Sequence, residues 1–185
     1  EVGKLMPYLH LPVQSGSDKI LQAMNRRHTS SQYLKIIERL RTVREDIAMS
    51  GDFIVGFPGE TDKDFADTLK LVDKVGYASA YSFKYSMRPG TPAANKLEQV
   101  AEETKSERLT SLQQLLESQQ FAFNKATEGQ RMDILVERPG GREGQMAGRS
   151  PYMQAVNFQG NEDQIGEIVS CVITQAKQKS VSGEL

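Results

Sequence analysis

Three short stretches of this sequence set polar or charged residues beside glycine at the ends of apolar runs: Gln14-Ser15-Gly16-Ser17, Gly56-Phe57-Pro58-Gly59-Glu60 and Arg88-Pro89-Gly90-Thr91-Pro92. In the first, one amide and two hydroxyls can hydrogen-bond a ribose or an amino-acid moiety, and Gly16 admits a close backbone approach. The same residues equally make a polar turn in which Ser17 caps the helix that follows. In the second, a bare backbone with Phe57 beside it can receive an adenine, or the glycines can serve the turn and Glu60 be solvated. No Gly-Lys-Ser/Thr follows, so this is not a phosphate loop. The third is a rigid, positively charged strand end that suits a carboxylate or phosphate, or a plain turn. Arg26-Arg27-His28 adds positive charge at the C-terminal end of a short helix, where the helix dipole favours it in any case.

Other chemistries find little support. His10 and His28 stand apart, with no third ligand at metal-site spacing, so no metal site is assigned. The single cysteine, Cys171, lies in an alternating apolar run and reads as a small buried hydrophobe; an intrachain disulfide is impossible. Met6, Met24 and Met49 read as core fillers. No base–nucleophile pair or carboxylate dyad points to hydrolysis.

The elements that must position these loops are legible from periodicity. Strands are expected at Leu9–Val13, Asp52–Phe57 and Ala80–Tyr85. Between them come a short helix carrying Ile20, Leu21 and Met24, a helix from the Thr29-x-x-Gln32 capping box to Arg44, and a helix from Asp62 to Lys74 ended by Gly76. That order predicts parallel strands with helical crossovers, and in such sheets ligands gather at the carboxyl ends of the strands. A long helix over Ala101–Phe123 follows, with Leu109, Leu112, Leu116 and Phe123 on one stripe. Composition changes at Asn124. Four short strands, Met132–Glu137, Gln145–Gly148, Gln154–Phe158 and Gly166–Thr174, predict a small antiparallel barrel or sheet. The expected domains are 1–124 and 125–185.

The 185 residues carry a net charge of −1. Up to Lys125 there are 17 Lys/Arg against 16 Asp/Glu, and after it 6 against 8. Neither part has the basic surface of a protein that grips duplex DNA nonspecifically, so any nucleic-acid contact is local. No run of 18 apolar residues or signal segment exists, which predicts a cytoplasmic protein without membrane contact.

The segments Leu11-Pro-Val-Gln-Ser-Gly-Ser-Asp18, Met24-Asn-Arg26, Asp52-Phe-Ile-Val-Gly-Phe-Pro-Gly-Glu-Thr61 and Tyr85-Ser-Met-Arg-Pro-Gly-Thr-Pro-Ala-Ala94, in this order, closely resemble the radical S-adenosylmethionine methylthiotransferases. Ser82-Phe83-Lys84-Tyr85 with Arg88-Pro89-Gly90 resembles the tRNA branch, which makes 2-methylthio-N6-isopentenyladenosine beside the anticodon; the ribosomal-protein branch, the nearest alternative, usually carries an acidic pair at Arg88-Pro89. The tail from Lys125 resembles that family's terminal RNA-binding barrel, the TRAM-like domain. The resemblance implies the second half of a partial (β/α)6 barrel, TIM-like, followed by a small all-β barrel. It implies that Gln14, Ser15 and Arg27 contact S-adenosylmethionine, that Gly56 and Phe57 line its adenine side, and that Arg88 lies near the catalytic mouth.

The family holds one [4Fe–4S] cluster on a CxxxCxxC loop and a second on an N-terminal domain. This chain has neither set of cysteines, so the two clusters are implied for a full-length parent and the chain alone is expected to be inactive. A tRNA anticodon stem-loop is the implied partner, met through Arg138, Arg142 and Arg149, with Tyr152 or Phe158 available for stacking if a ring faces outward. An RNA-binding module without catalysis is the alternative function. Three parallel strands leave an open half-barrel, which predicts a homodimer through it, unless the Ala101–Phe123 helix folds over the opening.

Overall fold

The computed structural model describes residues 5–185. The chain divides into two compact units, Leu9–Glu117 and Ser118–Leu185, the second also taking in the stretch that ends at Tyr8. The division falls inside one long helix, several residues before the composition change at Asn124.

In the first unit, β1 (Tyr8–His10), β2 (Ala48–Val55) and β3 (Ser79–Lys84) make a three-stranded sheet in that order. β2 and β3 run parallel, with Asp52 opposite Tyr81 and Ile54 opposite Phe83. β1 stops short of the expected Val13 because Pro12 has no N–H to give the ladder. Contact with β2 nevertheless continues: the Gln14 N–H donates to the Asp52 carbonyl at 2.9 Å, and the Ile54 N–H donates to the Gln14 carbonyl at 2.9 Å. β2 starts four residues before the expected Asp52. Ala48-Met49-Ser50-Gly51 lacks β-branched residues, and its full burial, not its propensity, makes it a strand.

The helices follow their caps. α1 (Asp18–Ala23) is capped by Ser17; α2 (Ser30–Val43) opens on the reciprocal Thr29–Gln32 box. α3 (Asp62–Val75) opens on a second box, Thr61–Asp64, and ends on Gly76 in the left-handed region at φ 61°. Phe53 and Val55 of β2 face these helices and pack with Leu71, Val72, Tyr77, Leu112 and Leu116. The Tyr33 hydroxyl donates to the Leu11 carbonyl at 2.9 Å, so the 2.8 Å bond between Tyr33 and Tyr77 is donated by Tyr77.

The alternate residues of the same strands face the other way. There Tyr81 and Phe83 are 61% and 54% exposed. α4 (Glu102–Ala126) does not fold over that face: Leu109, Leu112 and Leu116 pack into the helix-side core instead. Met49 is buried as expected, but Met6 is about half exposed and Met24 sits on a cavity wall.

The second unit is a closed barrel of five strands, not four: β4 (Arg131–Pro139), β5 (Gln145–Arg149), β6 (Ala155–Gln159), β7 (Ile168–Ala176) and β8 (Val181–Glu184), ordered β4-β5-β6-β8-β7. β8 escapes sequence reading because Val181-Ser-Gly-Glu is short and glycine-broken. It closes the barrel by lying antiparallel to β7 and parallel to β6, so the barrel is not wholly antiparallel. Ile134, Val136, Met146, Val156, Phe158, Cys171, Ile173 and Val181 fill the interior. Space there is so short that a Cβ on Gly183 would stand 2.4 Å from Cys171 Sγ. Cys171 is fully buried, and burial pushes its thiol pKa up. Beneath the barrel, Gln154 Nε2 donates to Asn124 Oδ1 at 2.9 Å and Asn124 Nδ2 to the Lys177 carbonyl at 2.9 Å, so these buried amides are satisfied. Among the described residues, no helix is long and apolar enough to cross a membrane.

Candidate functional site

At the carboxyl ends of β1, β2 and β3 the first unit holds a cavity of about 850 Å³. Gln14 enters from the turn after β1, Asp52 and Ile54 from β2, Phe57 from the loop beyond it, and Phe83, Tyr85 and Arg88 from β3 and its continuation. Asn25 and Arg26 close it from the end of α1. This is where a parallel sheet presents loops to a ligand. Two of its walls use costly backbone: Gln14 at φ 78° and Asn25 at φ 58° both occupy the left-handed region. The two Gln14 backbone bonds to β2 hold that conformation in place.

Phe57 is buried against Tyr85, ring centroids 5.2 Å apart and nearly edge-to-face. The Lys96 ammonium stands 5.8 Å from the Phe57 ring centre, and the Lys105 ammonium 5.6 Å from that of Tyr85. The Tyr85 hydroxyl is buried and has no hydrogen-bond partner among the described residues. Asp52, on the cavity floor, lies 3.5 Å from His10 Nε2, whose Nδ1 meets the Ser50 hydroxyl at 3.0 Å.

Of the residues singled out from sequence, the structure brings Gln14, Arg26, Phe57, Arg88, Thr91 and Pro92 to this cavity. Ser15 turns inward: its hydroxyl lies 3.2 Å from Thr68 Oγ1 and accepts the Ser17 N–H at 3.2 Å. The close approach that Gly16 permits is to α3, since a Cβ there would stand 2.4 Å from the Asp67 carbonyl oxygen. Arg27 is exposed and outside the lining; Gly56, at φ 72°, lies behind Phe57 with its face against the Lys105 stem. Met24, Asn25, Asp52 and Tyr85 also line it, although none was assigned a site role from sequence and Met24 was read as a core filler. A strict period-2 reading of β2 and β3 pairs Asp52 with Ile54 on one face, but only the sheet's open side shows that the face lines a cavity.

Glu60 is not solvated. Its carboxylate accepts the Gly56 N–H at 3.0 Å and Arg108 Nη1 at 2.8 Å. Burial pushes its carboxyl pKa up, against the pull of the Gly56 bond and the Arg108 charge. Asp64 goes the other way: burial raises it, but hydrogen bonds from Ser17, Thr61 and Lys19 outweigh that and hold it well below the usual carboxylate range.

In the barrel, Arg138 and Arg142 are exposed at the β4–β5 turn. Arg149, at the other end of β5, is half tied down by Glu137 at 3.3 Å and by the Met153 carbonyl at 3.3 Å. Tyr152 is part-buried and stacks edge-on against Phe123 at 5.5 Å, and Phe158 is a core residue, unable to stack on a base. Beside these, Leu135 and Ile168, paired across β4 and β7, face outward.

Residues 1–72 match the family model described as Radical SAM superfamily, and residues 125–185 match the TRAM domain. Among solved structures, coproporphyrinogen III oxidase from Escherichia coli, described as a Radical SAM enzyme, is similar at 20% identity and a TM-score of 0.52, over 61% of this chain and 27% of its own. The chain therefore spans about a quarter of that structure's length. The first unit has an α/β fold shared with part of that Radical SAM enzyme, and the second is a closed β-barrel over the residues that match the TRAM domain.

The donor set divides the two cofactors that the Radical SAM match implies. A thiolate-held iron–sulfur cluster does not fit, because the sequence's one cysteine is enclosed in the small barrel. An adenosyl ligand fits: the cavity has the volume, an aromatic wall at Phe57 and an unsatisfied hydroxyl at Tyr85.

Proposed function

We propose that this chain is the cofactor- and RNA-binding part of a radical S-adenosylmethionine tRNA methylthiotransferase, which modifies C2 of N6-isopentenyladenosine beside the anticodon. The observation that carries the reading is a strand-end cavity lined by Gln14, Phe57 and Arg88, followed in the same chain by a closed barrel of the TRAM kind.

S-adenosylmethionine supplies the one-electron and methyl-transfer chemistry when bound. The chain's own residues bind and orient. Gln14 offers an amide to the ribose or amino-acid end, and Phe57, backed by Gly56, forms the wall for the adenine. Ser15 acts through Thr68 on the turn that carries Gln14, Arg27 lies on the approach, and Arg88 meets the substrate at the mouth. Arg138, Arg142 and Arg149 take phosphates of the anticodon stem-loop, with Tyr152 at their margin. An unpaired loop nucleotide is the least costly to turn out toward such a cavity. The two [4Fe–4S] clusters belong to the whole enzyme, so the chain alone is inactive. The open sheet face around Tyr81 and Phe83 makes the isolated chain a homodimer, and the enzyme is cytoplasmic.

Nucleoside mass spectrometry of tRNA from cells lacking the reading frame that carries this sequence tests the proposal. Loss of the 2-methylthio nucleoside, with N6-isopentenyladenosine in its place, is expected. Unchanged modification overturns it. A module that only binds RNA is the second reading, favoured by a barrel that closes on itself without the first unit's strands. On that reading the chain binds RNA and ignores S-adenosylmethionine.

A further inference from the structure

The loop that carries Phe57 is held from one side by residues far along the chain, beyond the segment that matches the Radical SAM model. The Arg108 guanidinium, buried on α4, donates through Nη1 to Glu60 Oε1 at 2.8 Å and to the Glu60 carbonyl at 3.2 Å, and through Nη2 to Asp62 Oδ1 at 2.6 Å. Glu60 Oε1 also accepts the Gly56 N–H, so a single carboxylate oxygen links the guanidinium to the residue before Phe57. One turn earlier on α4, the Lys105 stem fills the space beside Gly56: a Cβ there would stand 2.3 Å from Lys105 Cγ. Just before α4, the Glu98 carbonyl accepts the Gly59 N–H at 2.8 Å.

A loop with two glycines at φ 72° and 83° has little conformational preference of its own. Its shape is therefore imposed from outside, and a buried guanidinium that bridges two carboxylates is a strong means. Two of Arg108's three bonds go to the loop's last residue, and its third reaches the first turn of α3. The guanidinium thus holds the loop's C-terminal end directly and its first residue, Gly56, through the Glu60 carboxylate. Its carbon also stands 5.7 Å from the Phe65 ring centre, which limits sideways movement.

We propose that Arg108 is a positioning residue for the cavity: acting through Glu60, it sets the Gly56–Glu60 loop and so fixes the Phe57 wall against which an adenosyl group lies. The proposal rests on the adenosyl reading of the cavity. It assigns to the helix outside the matched segment a direct part in ligand binding, although Arg108 itself does not line the cavity.

The test uses the full 185-residue chain and the variants R108M, R108K, E60Q and R108M/E60Q. Two readouts are needed: amide hydrogen exchange across 56–60 without ligand, and the affinity for S-adenosylmethionine by calorimetry. In R108M the buried carboxylate loses its cation, and exchange at Gly56 should speed by about tenfold or more while affinity falls by a similar factor. E60Q keeps an acceptor for the Gly56 N–H and should behave nearly as wild type. The double variant strands no buried charge but still lacks the guanidinium, so its Gly56 exchange should stay fast and its affinity low, which separates lost positioning from the cost of a stranded carboxylate. R108K, which keeps the charge but not the planar fork that bridges Glu60 and Asp62, should fall between and serves if R108M does not fold.

Gly56 exchange and affinity both unchanged in R108M, or in R108K where R108M is unfolded, overturn the proposal. So does a double variant that exchanges and binds as wild type. Faster Gly56 exchange with unchanged affinity overturns it as well, since the loop would then move without consequence for the ligand. Wild-type chain that does not bind S-adenosylmethionine defeats the adenosyl reading first and the proposal with it, whatever the exchange data show.

Discussion

Replacing Tyr85 by Phe should stabilise the first unit. The Tyr85 hydroxyl is buried without a hydrogen-bond partner among the described residues, whereas its ring packs edge-on against Phe57 at 5.2 Å and beneath the Lys105 ammonium at 5.6 Å. Phe keeps the ring contacts and removes only the oxygen. An unsatisfied buried hydroxyl costs about 1–3 kcal/mol, so a gain of roughly 1–2 kcal/mol is expected. For a unit of this size that raises the melting temperature by roughly 4–10 °C. Tyr77→Phe is the control with the opposite sign: its hydroxyl meets that of Tyr33 at 2.8 Å in the core, and its loss should cost about 1 kcal/mol. Scanning calorimetry of both variants is the assay. A Y85F chain that melts lower than wild type would refute the reasoning, because the hydroxyl would then hold a bond, for instance to an enclosed water.

Gly183→Ala should destabilise the small barrel by about 1–3 kcal/mol, because the new methyl meets Cys171 Sγ and the Val172 carbonyl with no room to retreat; the urea midpoint of the barrel checks it. Gly16→Ala should do the same to the first unit, since the contact there is α3 backbone; circular dichroism against temperature reads the loss. Asp64→Asn should narrow its stability deficit as the pH falls. The folded carboxyl lies below its ordinary value of 3.8, so its contribution is complete above about pH 4–5 and is lost as the pH drops through that value toward the folded one. Melting temperatures of both proteins from pH 6 to pH 3 test this, and a constant gap would contradict it. Anaerobic reconstitution of the chain with iron and sulfide should give no stoichiometric cluster and no cleavage of S-adenosylmethionine, as a single buried thiol cannot replace the missing ligands.

The helices were legible because their caps are local: Thr29 with Gln32, Ser17 and Gly76 announce ends that depend on nothing distant. The strands were less so. Ala48–Gly51 is a strand through burial on both faces, and Val181–Glu184 through the two neighbours that close a barrel over it, and neither condition is written in the segment itself. The site divides similarly. Gln14, Phe57 and Arg88 stand at strand ends, where parallel topology alone sends them to one cavity. The left-handed backbone at Gln14 is invisible in a residue type that seldom adopts it. Glu60 looked solvated because Arg108 lies 48 positions away, and Ser15 looked available because Thr68 lies 53 away. Phe158 sits inward by the alternation of β6, a distinction that its neighbours' polarity hinted at but the short strand could not fix.

Amide chemical shifts of the chain during titration with S-adenosylmethionine test the central claim most directly. Saturable shifts concentrated at Gln14, Gly56, Phe57 and Tyr85, around the strand-end cavity, are expected, with the small barrel unmoved. No shifts, or shifts gathered instead in the polar groove between α1 and α3 lined by Lys19, Lys63 and Lys70, would contradict it.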